Sequence, residues 1–177
     1  MWYIVECSYN DSESEEEWNN FYSQQKLPAL ISVTGFTTSQ RFRAVTSGCP
    51  VYLAIHTVKD AHTLSSDDYR LKGGGNFAHW QDCITDWHRN LYEVEGLAPA
   101  IYPDEMLLLS SKKIEFLESE MGYRGLEMLA VGLDKSPEYR VAYALPVEIS
   151  TLFTDIPEMY LYEPFTPQLR DTLKGKP

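Results

Sequence analysis

The sequence predicts an α+β fold in which two halves of one chain close a single barrel. Residues 1–95 show the order strand, helix, strand, strand, helix, strand, which is the ferredoxin-like order. Residues 105–177 show the same order again after a linker at 96–104, without visible sequence identity between the halves. Because a four-stranded sheet with helices on one face needs cover on the other, two such sheets facing each other would form a barrel.

The first helix is the most distinctive predicted element of the first half. Alternating aromatic, β-branched and small residues predict a strand at 2–9. Either Ser12 and Glu15 or Ser14 and Glu17 then stand at capping-box spacing, so the acidic run there is interpreted as a helix start and not as a cation site. The helix should break at Leu27-Pro28, because proline cannot continue the hydrogen-bond ladder, and then resume for about one turn.

The remaining elements follow from turn residues and periodicity. A turn at 46–50 separates strands that should pair as a hairpin. Residues 60–72 allow one helix, but Ser65-Ser66-Asp67-Asp68 also has the form of a fresh N-cap, and Gly73-Gly74-Gly75 should end the helix. Because the Lys-Ser/Thr of a phosphate loop is missing, this triple glycine is interpreted as a flexible hinge. The predicted strands are 36–45, 50–59, 87–94, 105–110, 126–134, 139–146 and 159–165, and the other predicted helices are 60–72, 77–84, 112–121 and 148–155.

Residues 17–44, EWNNFYSQQKLPALISVTGFTTSQRFRA, carry a family pattern. The aromatic pair Phe21-Tyr22, the Lys26-Leu27-Pro28 step, the Thr34-Gly35-Phe36 turn and the QRFR of 40–43 resemble the first helix and second strand of the EthD-like branch of the dimeric α+β barrel superfamily. The chain departs from that pattern at Lys26, where the family usually has histidine, and at Thr34, where it usually has proline. The resemblance implies a barrel with a pocket between sheet and helices, but it does not imply one reaction, because this fold supports many chemistries.

Composition and charge restrict the classes of partner. Fifteen basic and twenty-six acidic residues give a net charge of −11, which disfavours nucleic acid and anionic membrane surfaces. The three widely spaced cysteines suggest neither a disulfide framework nor a zinc site. With no secretory signal and no apolar run of 18 residues, we expect a soluble, cytoplasmic protein.

The third strand supplies the candidate catalytic pair. Alternation puts Tyr52 and His56 on the face opposite the aliphatic residues Leu53 and Ile55. With the aliphatic face expected under the helices, Tyr52 and His56 would line the barrel, where a phenol and an imidazole that titrates near neutrality could shuttle a proton. The alternative is that His56 only satisfies a polar group of a neighbouring strand.

Candidate ligand-binding residues lie on the first helix and second strand. Lys26, at the helix break, could hold a carboxylate or phenolate or act as a base if desolvated, although a solvated helix-end lysine is the commoner case. Tyr22 is expected to point inward on the same helix. Arg43 shares a strand face with Arg41, and either this face or Gln40 and Phe42 lines the pocket. Strand arginines could bind an anionic substrate or discourage sheet aggregation.

The segment 76–90 adds aromatic and basic candidates. Trp80, His88 and Arg89 could form a clamp for a ring-bearing or anionic ligand, although core packing is the commoner use of such aromatics. His79 and His88 are nine residues apart on different elements, which is not a metal-ligand spacing, so no metal is expected.

The family resemblance, together with Tyr52 and His56 on one strand face, implies a small enzyme that needs no cofactor. The leading hypothesis is a lyase, isomerase or cyclase that acts by proton transfer on an aromatic, polyketide-like or unsaturated metabolite, in secondary metabolism or aromatic catabolism. The competing hypothesis is a non-catalytic or stress-response barrel that sequesters a small ligand. A homodimer of barrels stays open, because sheet edges invite pairing.

Overall fold

The fold was analysed in a computed structural model, which describes residues 1–73 and 77–171. Its strands are β1 Trp2–Tyr9, β2 Phe36–Ala44, β3 Tyr52–Val58, β4 Ile84–Glu93, β5 Glu105–Ser110, β6 Leu126–Leu133, β7 Tyr139–Pro146, β8 Met159–Pro164 and β9 Leu169–Arg170. Its α-helices are α1 Glu15–Phe21, α2 Leu27–Ile31, α3 Asp67–Lys72 and α4 Val147–Ser150. Single turns of π-helix at Tyr22–Lys26 and Phe116–Glu120 and of 3₁₀-helix at Ala61–Ser65, Ala78–Cys83 and Thr151–Phe153 complete the list.

Eight antiparallel strands close one barrel within the single chain. The order is β3-β1-β4-β6-β7-β5-β8-β2, and β2 pairs back with β3 to complete the ring, while β9 adds to β2. The first four strands are ordered β4-β1-β3-β2 and the next four β8-β5-β7-β6, so the two halves share one spatial order. The predicted α+β barrel and its closure by one chain are therefore confirmed.

The barrel interior is filled with side chains. One buried cluster receives residues from all eight barrel strands, including Trp2, Phe42, Leu53 and Tyr162. Only about 10 Å³ of space remains beside Trp2 and Phe42. This is the expected state of an eight-stranded barrel, whose lumen is just wide enough for side chains to fill.

Two further clusters cover the outside of the barrel. The first half packs its helices on the outer faces of β1 and β3 through Trp18, Tyr22 and Leu27. The second half uses much shorter helices, around Leu117 and Phe153. The helix predicted at 112–121 is wrong beyond one π-helical turn at Phe116–Glu120.

The first helix differs from its prediction at both ends. Ser14 is the N-cap residue, but its hydroxyl bonds Tyr9 and Asp11 and does not cap the helix. The backbone also stays helical through Pro28, because the π-helical turn at Tyr22–Lys26 precedes the proline and places it near the start of α2. The predicted break is thus a change of helical pitch, and π-turns are frequent at functional sites.

Two predicted turns have clear outcomes. Gly35 has a φ of +100°, and a Cβ there would lie 2.5 Å from the Thr63 hydroxyl, so this turn requires glycine. Ser66 caps α3 by accepting a bond from the backbone N–H of Tyr69, as predicted. The hinge prediction for the triple glycine falls mostly on residues 74–76, which lie outside the described residues.

The predicted orientation of the third strand is wrong. Leu53 and Ile55 lie inside the barrel, whereas Tyr52 and Ala54 pack under the helices of the first half. The physical reason is that the narrow lumen has room only for closely packed side chains, which suits the aliphatic face of the strand. The polar groups of the opposite face find their hydrogen-bond partners outside the lumen, on the side covered by the helices. His56, on that same face, therefore does not line the barrel.

Candidate active site

A small cavity lies between the outer face of the sheet and the helices of the first half. Its wall includes Tyr3, Tyr22, Lys26, His56 and Tyr69, together with apolar side chains and Trp87. Its volume of about 10 Å³ is close to that of a single water molecule. The cavity thus collects an amine, an imidazole and three phenols in a mostly apolar enclosure.

His56 is fully buried in this cavity wall and remains neutral. Its Nδ1 lies 2.6 Å from the Ser39 hydroxyl on the neighbouring strand, while its Nε2 is buried and has no hydrogen-bond partner among residues 1–73 and 77–171. Burial, assisted by the charge of Lys26, lowers the His56 pKa to about 3. The predicted titration near neutrality is therefore wrong for this structure.

Lys26 is the group in the cavity with a pKa closest to neutral. The π-helical turn at Tyr22–Lys26 directs its amine inward, where Nζ donates to the Gly73 carbonyl at 3.0 Å and lies 4.5 Å from the centre of the Phe77 ring. Burial lowers its pKa to about 8, because the charged form is poorly solvated there. The amine can therefore exchange a proton close to physiological pH.

A pair of phenols and an arginine form a second polar group at the cavity. The Tyr3 and Tyr69 hydroxyls lie 3.1 Å apart, and Arg89 Nη1 donates to the Tyr3 oxygen at 3.2 Å. Strand pairing places Tyr3 directly opposite His56, and their rings stack with centroids 5.6 Å apart. Burial raises the Tyr3 pKa far above its usual value, so this phenol stays protonated.

Tyr52 belongs to a neighbouring cluster and does not line the cavity. Its hydroxyl donates to the Glu15 carboxylate and accepts a bond from Asn19 at 2.9 Å. Asn19 also accepts from Arg41 Nη2 at 2.8 Å, which links the phenol to a fully buried guanidinium. The Tyr22 ring lies 4.0 Å from Arg41 and separates this cluster from the cavity.

Three of the predicted ligand-binding residues lie elsewhere. Arg43 is largely exposed and forms an ion pair with Glu163 at 2.8 Å. Trp80 is buried against Phe21, with ring centroids 4.8 Å apart, and His88 is exposed on β4. The cavity therefore unites Tyr22, Lys26 and His56, with Arg89 behind Tyr3, but not the remaining predicted residues.

Sequence reasoning missed Tyr3 and Tyr69. Tyr3 looks like an ordinary strand aromatic, and only the register that pairs β1 with β3 brings it to His56. Tyr69 is placed by the α3 cap and by stacking on Phe36, with ring centroids 5.9 Å apart. The available signal was the alternation of β1, which separates Tyr3 from the interior residues Trp2 and Ile4.

A larger concavity lies away from these residues. It measures about 550 Å³ and is formed mainly by residues 100–106 and 163–170. Its walls are mostly apolar and include two carboxylates. Glu163 is paired with Arg43, and Glu105 accepts a bond from the backbone N–H of Tyr102 at 3.0 Å. This concavity has enough volume for a ligand, whereas the smaller cavity contains the groups that could perform acid–base chemistry.

Two structural findings concern metal ions and membranes. Within residues 1–73 and 77–171, no group of three or more His, Cys, Asp or Glu side chains is placed to hold a metal ion. Among the same residues, no helix is both long enough and apolar enough to cross a bilayer.

Comparison with known proteins identifies the fold. No protein-family model and no curated protein matches the sequence. An anthrone oxidase-like protein superposes with a TM-score of 0.60 at 10% identity, covering 96% of this chain and 92% of that one. A candidate monooxygenase from Lactobacillus acidophilus NCFM superposes with a TM-score of 0.54 at 10% identity, covering 94% of each chain. These neighbours share the fold of this chain over nearly its whole length.

Proposed function

We propose that this protein is a small enzyme that needs no cofactor and transfers a proton on an unsaturated, ring-bearing small molecule. The observation that carries the proposal is the meeting, in one apolar cavity, of the Lys26 amine, the unpaired His56 Nε2 and the phenol pair Tyr3 and Tyr69. Buried titratable groups with shifted pKa values are typical of sites that perform acid–base chemistry. The oxidase-like and monooxygenase names of the structural neighbours support a small-molecule enzyme of this general class.

Lys26 is the proposed acid–base group, and His56 its neutral partner. With pKa values of about 8 and about 3, the Lys26 amine is a stronger base than the His56 imidazole by roughly five powers of ten. Protonated His56 would also be a second cation beside Lys26. In this proposal His56 holds a substrate atom by a hydrogen bond while Lys26 takes the proton.

The fate of the deprotonated substrate separates two versions of the proposal. Rearrangement or elimination would make the protein a lyase, isomerase or cyclase. The names of the structural neighbours instead suggest that an electron-rich anion reacts with oxygen. Both versions begin with the same proton abstraction, which is the step that the cavity residues can perform.

A ring-bearing substrate needs more room than the cavity of about 10 Å³ provides. Trp87 borders the cavity, is 36% exposed, and contacts the Phe77 ring edge-on with centroids 5.8 Å apart. Because its outer side faces solvent, rotation of this side chain can enlarge the cavity without disturbing the barrel. We propose that substrate enters past Trp87.

Proton abstraction can be tested before the natural substrate is known. The probe is 2-tetralone, a ring-bearing carbon acid whose exchange of hydrogen for deuterium in D₂O is followed by NMR. We expect the wild-type protein to accelerate exchange above the buffer rate and the Lys26→Met variant to lose about 10²-fold or more of that acceleration. Lys59→Met, which removes an exposed amine, is the matched control and should keep it. Equal rates for wild type and Lys26→Met would refute the role of Lys26.

A non-catalytic ligand-binding barrel is the second candidate function. The concavity of about 550 Å³ favours it, because this volume lies within the usual range for ligand sites. Mass spectrometry of the purified protein would identify a co-purifying ligand, and protection of Tyr102 from modification would indicate binding in this concavity. If the protein catalyses hydrogen–deuterium exchange of 2-tetralone, the enzyme hypothesis is favoured over the non-catalytic barrel.

The finer fold and assembly assignments also remain proposals. The shared strand order supports two tandem ferredoxin-like halves, at 1–95 and 105–177, joined by 96–104. The motif at residues 17–44 supports membership of the EthD-like branch. We further propose a cytoplasmic location, which the free thiols of Cys7, Cys49 and Cys83 support, and we retain the homodimer as a hypothesis for sedimentation analysis.

A further inference from the structure

The hydrogen-bond inventory of the cavity leaves one phenol proton unused. Arg89 can only donate, so the Tyr3 oxygen accepts its bond, and the contact between Tyr3 and Tyr69 uses one of the two phenol protons. The second phenol proton has no acceptor among the described residues. Both rings are almost fully buried and line the cavity, so bulk water does not replace that acceptor.

His56 presents the complementary unpaired atom. Ser39 bonds Nδ1, and Nε2 is buried with no hydrogen-bond partner in the described part of the chain. Because Lys26 lines the same cavity, its positive charge favours the tautomer in which Nε2 carries a lone pair toward the cavity. The wall therefore offers one donor and one acceptor, with the Tyr3 and His56 rings stacked against each other.

We propose that the cavity recognises a phenolic or enolic hydroxyl, whose oxygen accepts from the Tyr3–Tyr69 pair and whose proton is donated to His56 Nε2. This inference rests on the proposed function, since it names the substrate group that the same site would bind. A hydroxyl carries a donor and an acceptor on one atom, so it satisfies both wall groups. An ether oxygen satisfies only the donor, and a bare ring satisfies neither.

The test uses three probes that share a ring: phenol, anisole and toluene. Trp87→Ala provides a widened cavity, and dissociation constants are measured by NMR titration. We expect phenol to bind Trp87→Ala at least 10-fold more tightly than toluene, with anisole between them. Adding Tyr3→Phe and Tyr69→Phe together should reduce the preference for phenol over toluene to less than about 3-fold while leaving toluene binding unchanged. Both Phe substitutions are needed, because either phenol alone still has a proton to offer.

Two further variants make the result interpretable. His56→Leu, made in the Trp87→Ala background, removes the acceptor and should also weaken phenol relative to toluene. This variant keeps the test valid if the double Phe variant folds poorly. Tyr139→Phe removes an exposed phenol that bonds Glu127, far from this wall, and should leave the ratio unchanged. Equal binding of toluene and phenol to Trp87→Ala would overturn the inference. Absence of binding by all three probes would overturn it too, whereas the exchange of 2-tetralone decides the proposed function separately.

Discussion

Replacement of Lys26 by methionine should remove a pH dependence of stability that arises from burial of the Lys26 amine in the cavity. The folded state holds the Lys26 pKa at about 8, against 10.5 for a solvated lysine, because burial disfavours the ammonium ion. Between these two values the unfolded chain binds more protons than the folded one, so the wild-type protein gains stability as pH rises from 8 toward 10.5. Below pH 8 both states are protonated and the burial penalty is present in full.

The size of the effect follows from the two pKa values. The difference between 10.5 and about 8 corresponds to roughly 3 kcal/mol at 1.36 kcal/mol per unit. The amine is only partly buried, and solvent screening reduces the value, so we expect about 1.5 kcal/mol. Lys26→Met lacks this term. Relative to the wild type, the stability of Lys26→Met should therefore fall by about 1.5 kcal/mol between pH 7 and pH 10. Loss of the bond to Gly73 adds a cost that is the same at every pH, so it does not affect this change.

Urea denaturation at pH 7, 8, 9 and 10 measures this difference directly. Comparing the two proteins cancels the tyrosines, whose ionisation affects both equally. Lys59→Met serves as the matched control and should show no pH-dependent difference from wild type, since that amine is exposed. A flat difference for Lys26→Met across this range would show that the Lys26 pKa is not lowered and would remove the basis for its acid–base role.

Three other predictions address buried charges. As pH falls from 6.5 toward 3, the wild type should lose several kcal/mol of stability relative to His56→Gln. The cause is that His56 becomes protonated in the unfolded chain but stays neutral where it is buried in the folded protein. Thermal melts followed by circular dichroism across this pH range measure the difference. Arg140→Met should lower the free energy of unfolding in urea by about 3–5 kcal/mol, because it leaves the Glu6 carboxylate buried and unpaired. Adding Glu6→Leu to Arg140→Met should recover much of this loss. Arg43→Met, which breaks an exposed ion pair, should cost less than about 1 kcal/mol. Arg41→Met should cost less than Arg41→Ala in the same assay, because Arg41 packs among four aromatic rings and has no salt bridge to a described carboxylate. Equal costs for the two variants would show that the charge and hydrogen bonds, which both variants lose, matter more than the packing of the side chain.

Much of the fold could be predicted because local signals and topology agreed. Alternation located β1 and β3, turn residues located the hairpin of β2 and β3, and the repeated element order implied a barrel that one chain could close. The second-half helices were overestimated, because residues 112–121 have helical composition but only a shallow outer surface to cover. The packing available to residues 112–121 in the folded chain, and not their helix propensity, therefore determined how much helix they form.

The candidate site was only partly accessible from sequence. Strand alternation correctly separated His56 from Leu53 and Ile55, but it cannot say which face turns inward. That choice depends on the volume of the closed lumen, which is a property of all eight strands together. Tyr3 and Tyr69 were missed for a similar reason, because register and helix placement bring them to His56 from distant parts of the sequence.

The filled lumen determines where chemistry can occur in this protein. An interior occupied by Trp2, Phe42 and Tyr162 leaves no room for a substrate, and the Glu6–Arg140 ion pair buried there is held by two mutual contacts of 3.1 and 3.2 Å. The outer face of β1 and β3 instead lies under helices whose π-helical turn directs the Lys26 amine toward His56. In a barrel closed by two identical chains, each chain would contribute one such layer of helices over its strands. In this single chain, the second half covers its strands with short turns and apolar contacts instead. One cavity per chain is therefore the expected stoichiometry, and NMR titration of Trp87→Ala with phenol should saturate at one equivalent.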